Sequence, residues 1–141
     1  MPLEGTWYNE LGSKMVLSVS GASITGTYQT KVGDAFRLYP LVGGTDNAPI
    51  PSGQAVGLVV AWVNEQHGSS HCATSWSGQY QVLDSEEMIT TFWLLTIETD
   101  PDQDWKSTLV GKDIFTRHEP SEAEIARRLK VGTVSHPLKL R

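Results

Sequence analysis

Residues 70–76 read Ser70-His71-Cys72-Ala73-Thr74-Ser75-Trp76. Side chains on an extended strand alternate between its faces, so Ser70, Cys72, Thr74 and Trp76 share one side and His71, Ala73 and Ser75 the other. The even face combines a large aromatic with hydroxyls and a thiol. The same mixture recurs outward along the chain. Trp7 pairs with Asn9; Gly26, Tyr28, Thr30 and Val32 share a face, as do Leu58, Val60 and Trp62. Trp93 aligns with Leu95, and Ser107, Leu109, Gly111, Asp113 and Phe115 form another such set. A purely structural interior is nearly all aliphatic, because an unpaired buried polar group costs roughly 1–3 kcal/mol. Polar groups repeated on apolar faces predict a cavity whose polar atoms await a ligand.

Strand-like runs lie near 5–9, 14–20, 23–30, 36–43, 54–64, 70–81, 87–97 and 105–117. Turn clusters such as Leu11-Gly12-Ser13, Ser20-Gly21-Ala22-Ser23, Thr45-Asp46-Asn47-Ala48-Pro49 and Asp100-Pro101-Asp102 separate them. Eight short strands in sequence with short links predict an all-β fold, an eight-stranded antiparallel up-and-down β-barrel that removes its own edges. A barrel of about that size has room inside for one small ligand. The tail differs. Ser121-Glu122-Ala123-Glu124 has the form of a capping box, followed by Ile125, Ala126 and Leu129 at helical spacing and Gly132 as a stop. The expected organisation is a barrel domain over 1–118 and a tail over 119–141 with a short helix at about 121–131.

The chain of 141 residues carries a net charge of −5, split unevenly between an acidic body (−8 over residues 1–120) and a basic tail (+3 over 121–141). An acidic body does not attract a phosphate backbone, so no nucleic-acid partner is expected. No apolar run approaches the ~18 residues of a membrane span, so no membrane partner is expected either. The single cysteine, Cys72, excludes an internal disulfide. The start, Met1-Pro2-Leu3-Glu4-Gly5-Thr6-Trp7, enters a strand pattern at once without a signal-peptide core. Taken literally this predicts an intracellular protein, or a secreted one if a leader has been removed.

Several blocks resemble the avidin/streptavidin family: Gly5-Thr6-Trp7-Tyr8-Asn9-Glu10-Leu11-Gly12-Ser13, Gly26-Thr27-Tyr28 and Thr74-Ser75-Trp76-Ser77-Gly78-Gln79-Tyr80, then Trp93-Leu94-Leu95-Thr96 and Trp105-Lys106-Ser107-Thr108-Leu109-Val110-Gly111-Lys112-Asp113. They fall in order across about residues 5–117. The absent disulfide and the helical tail look more like the fungal, tamavidin-like branch than egg-white avidin. The resemblance implies non-catalytic, high-affinity binding of biotin and a role in sequestering that vitamin. By the same resemblance Asn9, Ser13 and Tyr28 match the groups that hold the ureido oxygen, and Asp113 and Thr30 match the acceptors of its two N–H groups. Thr74 matches the hydroxyl near the thioether. Trp62, Trp76 and Trp93 match the aromatic walls, while Leu11, Val32, Leu95 and Leu109 would complete the apolar lining. Trp105 matches the tryptophan that reaches into a neighbouring subunit's pocket, which implies a homo-oligomer: a tetramer by the family norm, a dimer as the alternative.

The departures gather where the family holds the valeryl carboxylate. Cys72 stands in place of a serine donor, Asp34 in place of an asparagine, and Gly44-Thr45 in place of Arg-Tyr. A thiol is a poor donor, so a weaker grip on that carboxylate is expected. Cys72 otherwise reads as an inert wall residue and Trp7 as a plug of the barrel base. No catalytic residues, metal or cofactor are expected: His67 and His71 are not neighbours on a strand, and Asp100, Asp102 and Asp104 lack the glycine and glutamate of a calcium loop. The rival ligand reading is a lipocalin-like carrier of another small apolar molecule. A greasy ligand would leave Asn9, Ser13, Tyr28 and Asp113 unsatisfied. An enzyme using Asp113 as a base lacks a nucleophile or metal.

Overall fold

The alternation becomes eight strands in the computed structural model, which describes residues 2–30, 38–46, 53–62 and 71–131. They are β1 (Gly5–Tyr8), β2 (Lys14–Ser20), β3 (Ser23–Gln29), β4 (Leu38–Thr45), β5 (Gly53–Trp62), β6 (Cys72–Leu83), β7 (Glu86–Ile97) and β8 (Thr108–Thr116). Each pairs antiparallel with the next, and β1 meets β8 to close the barrel. On β5 the buried set Val56, Leu58, Val60 and Trp62 alternates with exposed Ala55, Gly57, Val59 and Ala61, the period-2 pattern of a half-buried strand.

Register fixes what meets inside. Leu58, Trp76, Trp93 and Gly111 lie opposite one another across β5 to β8, so two tryptophans sit side by side and a side-chain-free glycine flanks them. The next inward row is Leu41, Val60, Thr74, Leu95 and Leu109. Because the barrel is a simple meander, the last residues of β1, β3, β5 and β7 face one end, and those of β2, β4 and β6 face the other. Trp7 plugs that second end. Its indole N–H donates to the Leu3 carbonyl at 2.9 Å, Tyr80 meets it edge-on, and the Arg117 guanidinium lies 3.7 Å from its ring centroid. Arg117 also donates to the Thr6 and Pro2 carbonyls and pairs with Glu87.

Several strand boundaries differ from expectation. β8 begins at Thr108, not 105, because Pro101–Lys106 forms a 3₁₀ turn opened by a proline with preset φ and closed by the Ser107 N–H on the Asp104 carbonyl. Strand pairing resumes where the Ile97 N–H donates to the Ser107 carbonyl. Asn9 and Thr30 lie just past the ends of β1 and β3 rather than within them. The tail helix, α1 (Glu122–Val131), follows Ser121, whose hydroxyl accepts the Glu124 N–H at 3.1 Å while the Glu124 carboxylate accepts the Ser121 N–H at 3.4 Å. Its acidic first turn and basic last turn suit the helix dipole. Val32, Asp34, His67 and Gly132 lie outside the described residues.

Candidate functional site

The turn from Asn9 to Ser13 folds into the first end of the barrel and is organised by one side chain. Asn9 Oδ1 accepts the N–H groups of Leu11 and Ser13 at 3.0 and 2.9 Å. Gly12 carries φ of 84°, a conformation that an L side chain resists. With Oδ1 occupied by two backbone donors, the other amide atom must be the nitrogen. Asn9 Nδ2 faces the Tyr28 hydroxyl at 3.5 Å, and the Ser13 hydroxyl bonds to the same phenol. Asn9, Ser13 and Tyr28 are all buried. Burial, reinforced by the negative charge of Asp113, pushes the Tyr28 hydroxyl well above its ordinary pKa, so it stays a donor.

Asp113 reaches the same cluster from β8. Its side chain is fully buried, and Oδ2 accepts the Trp76 indole N–H at 2.9 Å. Oδ1 is buried with no hydrogen-bond partner. Burial raises this carboxyl to about 7; the charge of Glu10 adds to the rise, and the hydrogen bond from Trp76 together with the nearby Asn9 amide opposes it. Thr91 on β7 fixes the backbone behind it, donating its hydroxyl to the Asp113 carbonyl at 2.9 Å.

Aromatic rings enclose these polar atoms. Tyr28 stacks on Trp76 with centroids 5.1 Å apart and meets Trp62 edge-on at 5.5 Å. Trp62 donates its indole N–H to the Thr74 hydroxyl at 2.7 Å, which fixes the ring and leaves the threonine proton free to point elsewhere. The Trp93 indole N–H is buried without a partner. Thr30, Leu11 and Leu95 are buried, Leu109 is half-buried, and Cys72 lies opposite Trp62 at the starting end of β6 with only 8% exposure.

The structure therefore brings together Asn9, Leu11, Ser13, Tyr28, Thr30, Trp62, Cys72, Thr74, Trp76, Trp93, Leu95, Leu109 and Asp113 on the inward face of the barrel and its first end. It keeps Trp105 apart: that residue sits on the 3₁₀ turn, 80% exposed. Three contributors escaped the sequence reading. Tyr39, opposite Tyr28 on β4, packs edge-on against Trp62 at 4.8 Å; its parity with Leu41 could have revealed it. Thr91 and Glu10 act through Asp113, and a spacing pattern carries no mark of that.

The arrangement gathers an amide and two hydroxyls around Tyr28, with a buried carboxylate oxygen beside them and flat aromatic walls. Polar groups set among aromatic walls are the usual make-up of a small-molecule site. Comparison with known proteins agrees with this architecture. Residues 1–118 match the profile of the avidin family. Avidin of Gallus gallus is 34% identical over 122 residues, 82% of this chain and 77% of that protein. Avidin-related protein 4/5 of the same species is 35% identical over the same shares. Fibropellin-1 of Strongylocentrotus purpuratus is 34% identical over 127 residues, 86% of this chain but only 11% of its own length. Closed barrel, inward aromatic cluster and similarity over residues 1–118 converge on one conclusion: the chain belongs to the avidin family.

Proposed function

We propose that this protein binds biotin inside the barrel, without catalysis, and acts by withholding the vitamin from solution. One observation carries the reading: the donor cluster of Asn9, Ser13 and Tyr28 lies beside a buried carboxylate whose Oδ1 has no partner. A cyclic urea is the complement of that pattern. Its carbonyl oxygen takes the converging donors, as an oxyanion takes the donors of an oxyanion hole. One ureido N–H fills Asp113 Oδ1 and the other meets the Thr30 hydroxyl. Trp62, Trp76 and Trp93 wall the bicyclic ring, and the Thr74 proton, left free by the Trp62 bond, turns to the thioether. Cys72, at the starting end of β6, is a poor donor for the valeryl carboxylate, so the grip falls mainly on the ureido end.

The same reading expects a homo-oligomer, a tetramer ahead of a dimer. Trp105 stands 80% exposed on the 3₁₀ turn. On the outer surface Val42, Val59, Leu94 and Val110 are exposed and lie in one hydrogen-bonded row, interrupted only by Ser75. A second copy of this chain is the occupant that fits both features.

Titration calorimetry with biotin, followed in parallel by tryptophan fluorescence, tests the proposal. The expected result is one site per chain with a large spectral change. Folded, biotin-free protein that gives neither heat nor spectral change overturns it.

A further inference from the structure

Closure of the barrel is thin on one flank. β8 runs from Thr108 to Thr116 but β1 ends at Tyr8, and among the described residues the two strands share the single pair Tyr8 and Thr116. Near this seam the Ile114 N–H donates to the Glu10 carboxylate, Oε1 accepting at 2.5 Å, so a side chain substitutes for the absent strand. Glu10 is held in turn from outside. Arg128 on α1 donates Nη1 to the Glu10 carbonyl at 2.6 Å and Nη2 to the Glu124 carboxylate at 3.3 Å. Glu124 belongs to the box that starts the helix. Between α1 and the barrel lies a groove of about 340 Å³ lined in part by Asn9, Glu10, Ile114, His118 and Arg128.

Glu10 follows Asn9 in the chain, and the amide it binds follows Asp113. The path from Arg128 through Glu10 to Ile114 therefore runs behind both polar groups of the interior cluster. Side chains on a strand alternate, so Asp113 points inward while Ile114 faces the seam. We infer that Arg128 is a positioning residue for the interior site: through Glu10 it holds Asn9 and Asp113 at their mutual spacing, so that seating of α1 sets how tightly the barrel grips its ligand. The inference rests on the interior being the ligand site. The charged groups around Glu10 agree with the arrangement, since Arg128 from α1 and Lys112 from β8 both favour its ionised form against burial, which raises its pKa.

The test compares Arg128→Ala, Arg128→Lys and, as a control on the exposed face of α1, Arg127→Ala. Hydrogen exchange at the Ile114, Leu11 and Ser13 amides is read in ligand-free protein, and the biotin dissociation rate is read by competition. Arg128→Ala should speed exchange at those amides and accelerate dissociation about tenfold, a magnitude typical of coupling through residues that do not touch the ligand. Arg128→Lys, which keeps a cationic donor, should restore most of both, and Arg127→Ala should match the unmodified protein. A second variant, Glu10→Gln, retains an acceptor for Ile114 but removes the charge that raises Asp113; it should lower the midpoint of the Asp113 titration. Unchanged exchange or an unchanged dissociation rate in Arg128→Ala overturns the inference. If the unmodified protein fails to bind biotin, only the ligand assignment falls, and the three amides alone decide the role of Arg128.

Discussion

Asp113 is the residue with the most at stake. Folding takes its carboxyl from 3.8 to about 7, burial being the main cause and Glu10 the next. The folded chain thus keeps a proton that the unfolded chain releases. Stability from this site is complete below the unfolded value and is lost as pH rises through about 7. A shift of this size corresponds to roughly 4 kcal/mol as an upper figure. In ligand-free protein, Asp113→Asn should therefore flatten the decline in stability between those two values, measured as the urea midpoint at several pH values. A ligand N–H donated to Oδ1 favours the ionised form and pulls the pKa back down. Biotin binding should then release a proton near pH 7 and tighten as pH rises toward that value, levelling off above it; calorimetry in buffers of different ionisation enthalpy measures the release. Truncation by Asp113→Ala removes the acceptor and strands the Trp76 N–H, and should weaken biotin by about 1.5–3 kcal/mol, or roughly 10- to 150-fold.

Strand β6 shows how tightly neighbouring elements depend on one another. A Cβ added at Gly78 would stand 2.0 Å from the Thr90 carbonyl oxygen and 2.8 Å from the Cα and Cγ2 of Thr91. Gly78→Ala should cost about 1–3 kcal/mol in thermal or urea unfolding, and the strain should pass through Thr91 to the Asp113 carbonyl it holds. Elements of this kind were largely legible beforehand. Alternation along 54–64 and 70–81 named the strands and their inward sides, and Ser121 with Glu124 announced the helix. The 3₁₀ turn was not legible, because Trp105 to Asp113 keeps a strand-like alternation while Pro101 imposes a tighter local bend. Within the site, residues that point inward declare themselves by parity. Thr91 and Glu10 matter through partners on other strands, and register across a sheet leaves no trace in a single run of sequence.

At the level of the whole molecule, the outer apolar row and Trp105 are the surfaces that the proposed second copy would cover. Leu94→Glu combined with Val110→Glu places two charges in that row and should shift the protein to smaller species in light scattering, with the barrel still folded by circular dichroism. An unmodified protein that runs as a monomer at all concentrations would contradict the oligomeric reading. Trp105→Ala should speed biotin release while leaving the spectral change from Trp62, Trp76 and Trp93 largely intact.

The thin seam has a kinetic consequence. Contacts between the first and last strands close the longest loop in the chain, so they form late and open early. Hydrogen exchange should follow that order, fastest beside Tyr8 and Thr116 and slowest along the twelve-residue pairing of β6 with β7. Asn9 lies on the near side of this weakest closure and Asp113 on the far side. A small molecule bonded to both would act as a rivet between the two ends of the barrel, and occupancy would show itself above all as a longer lifetime of the folded state.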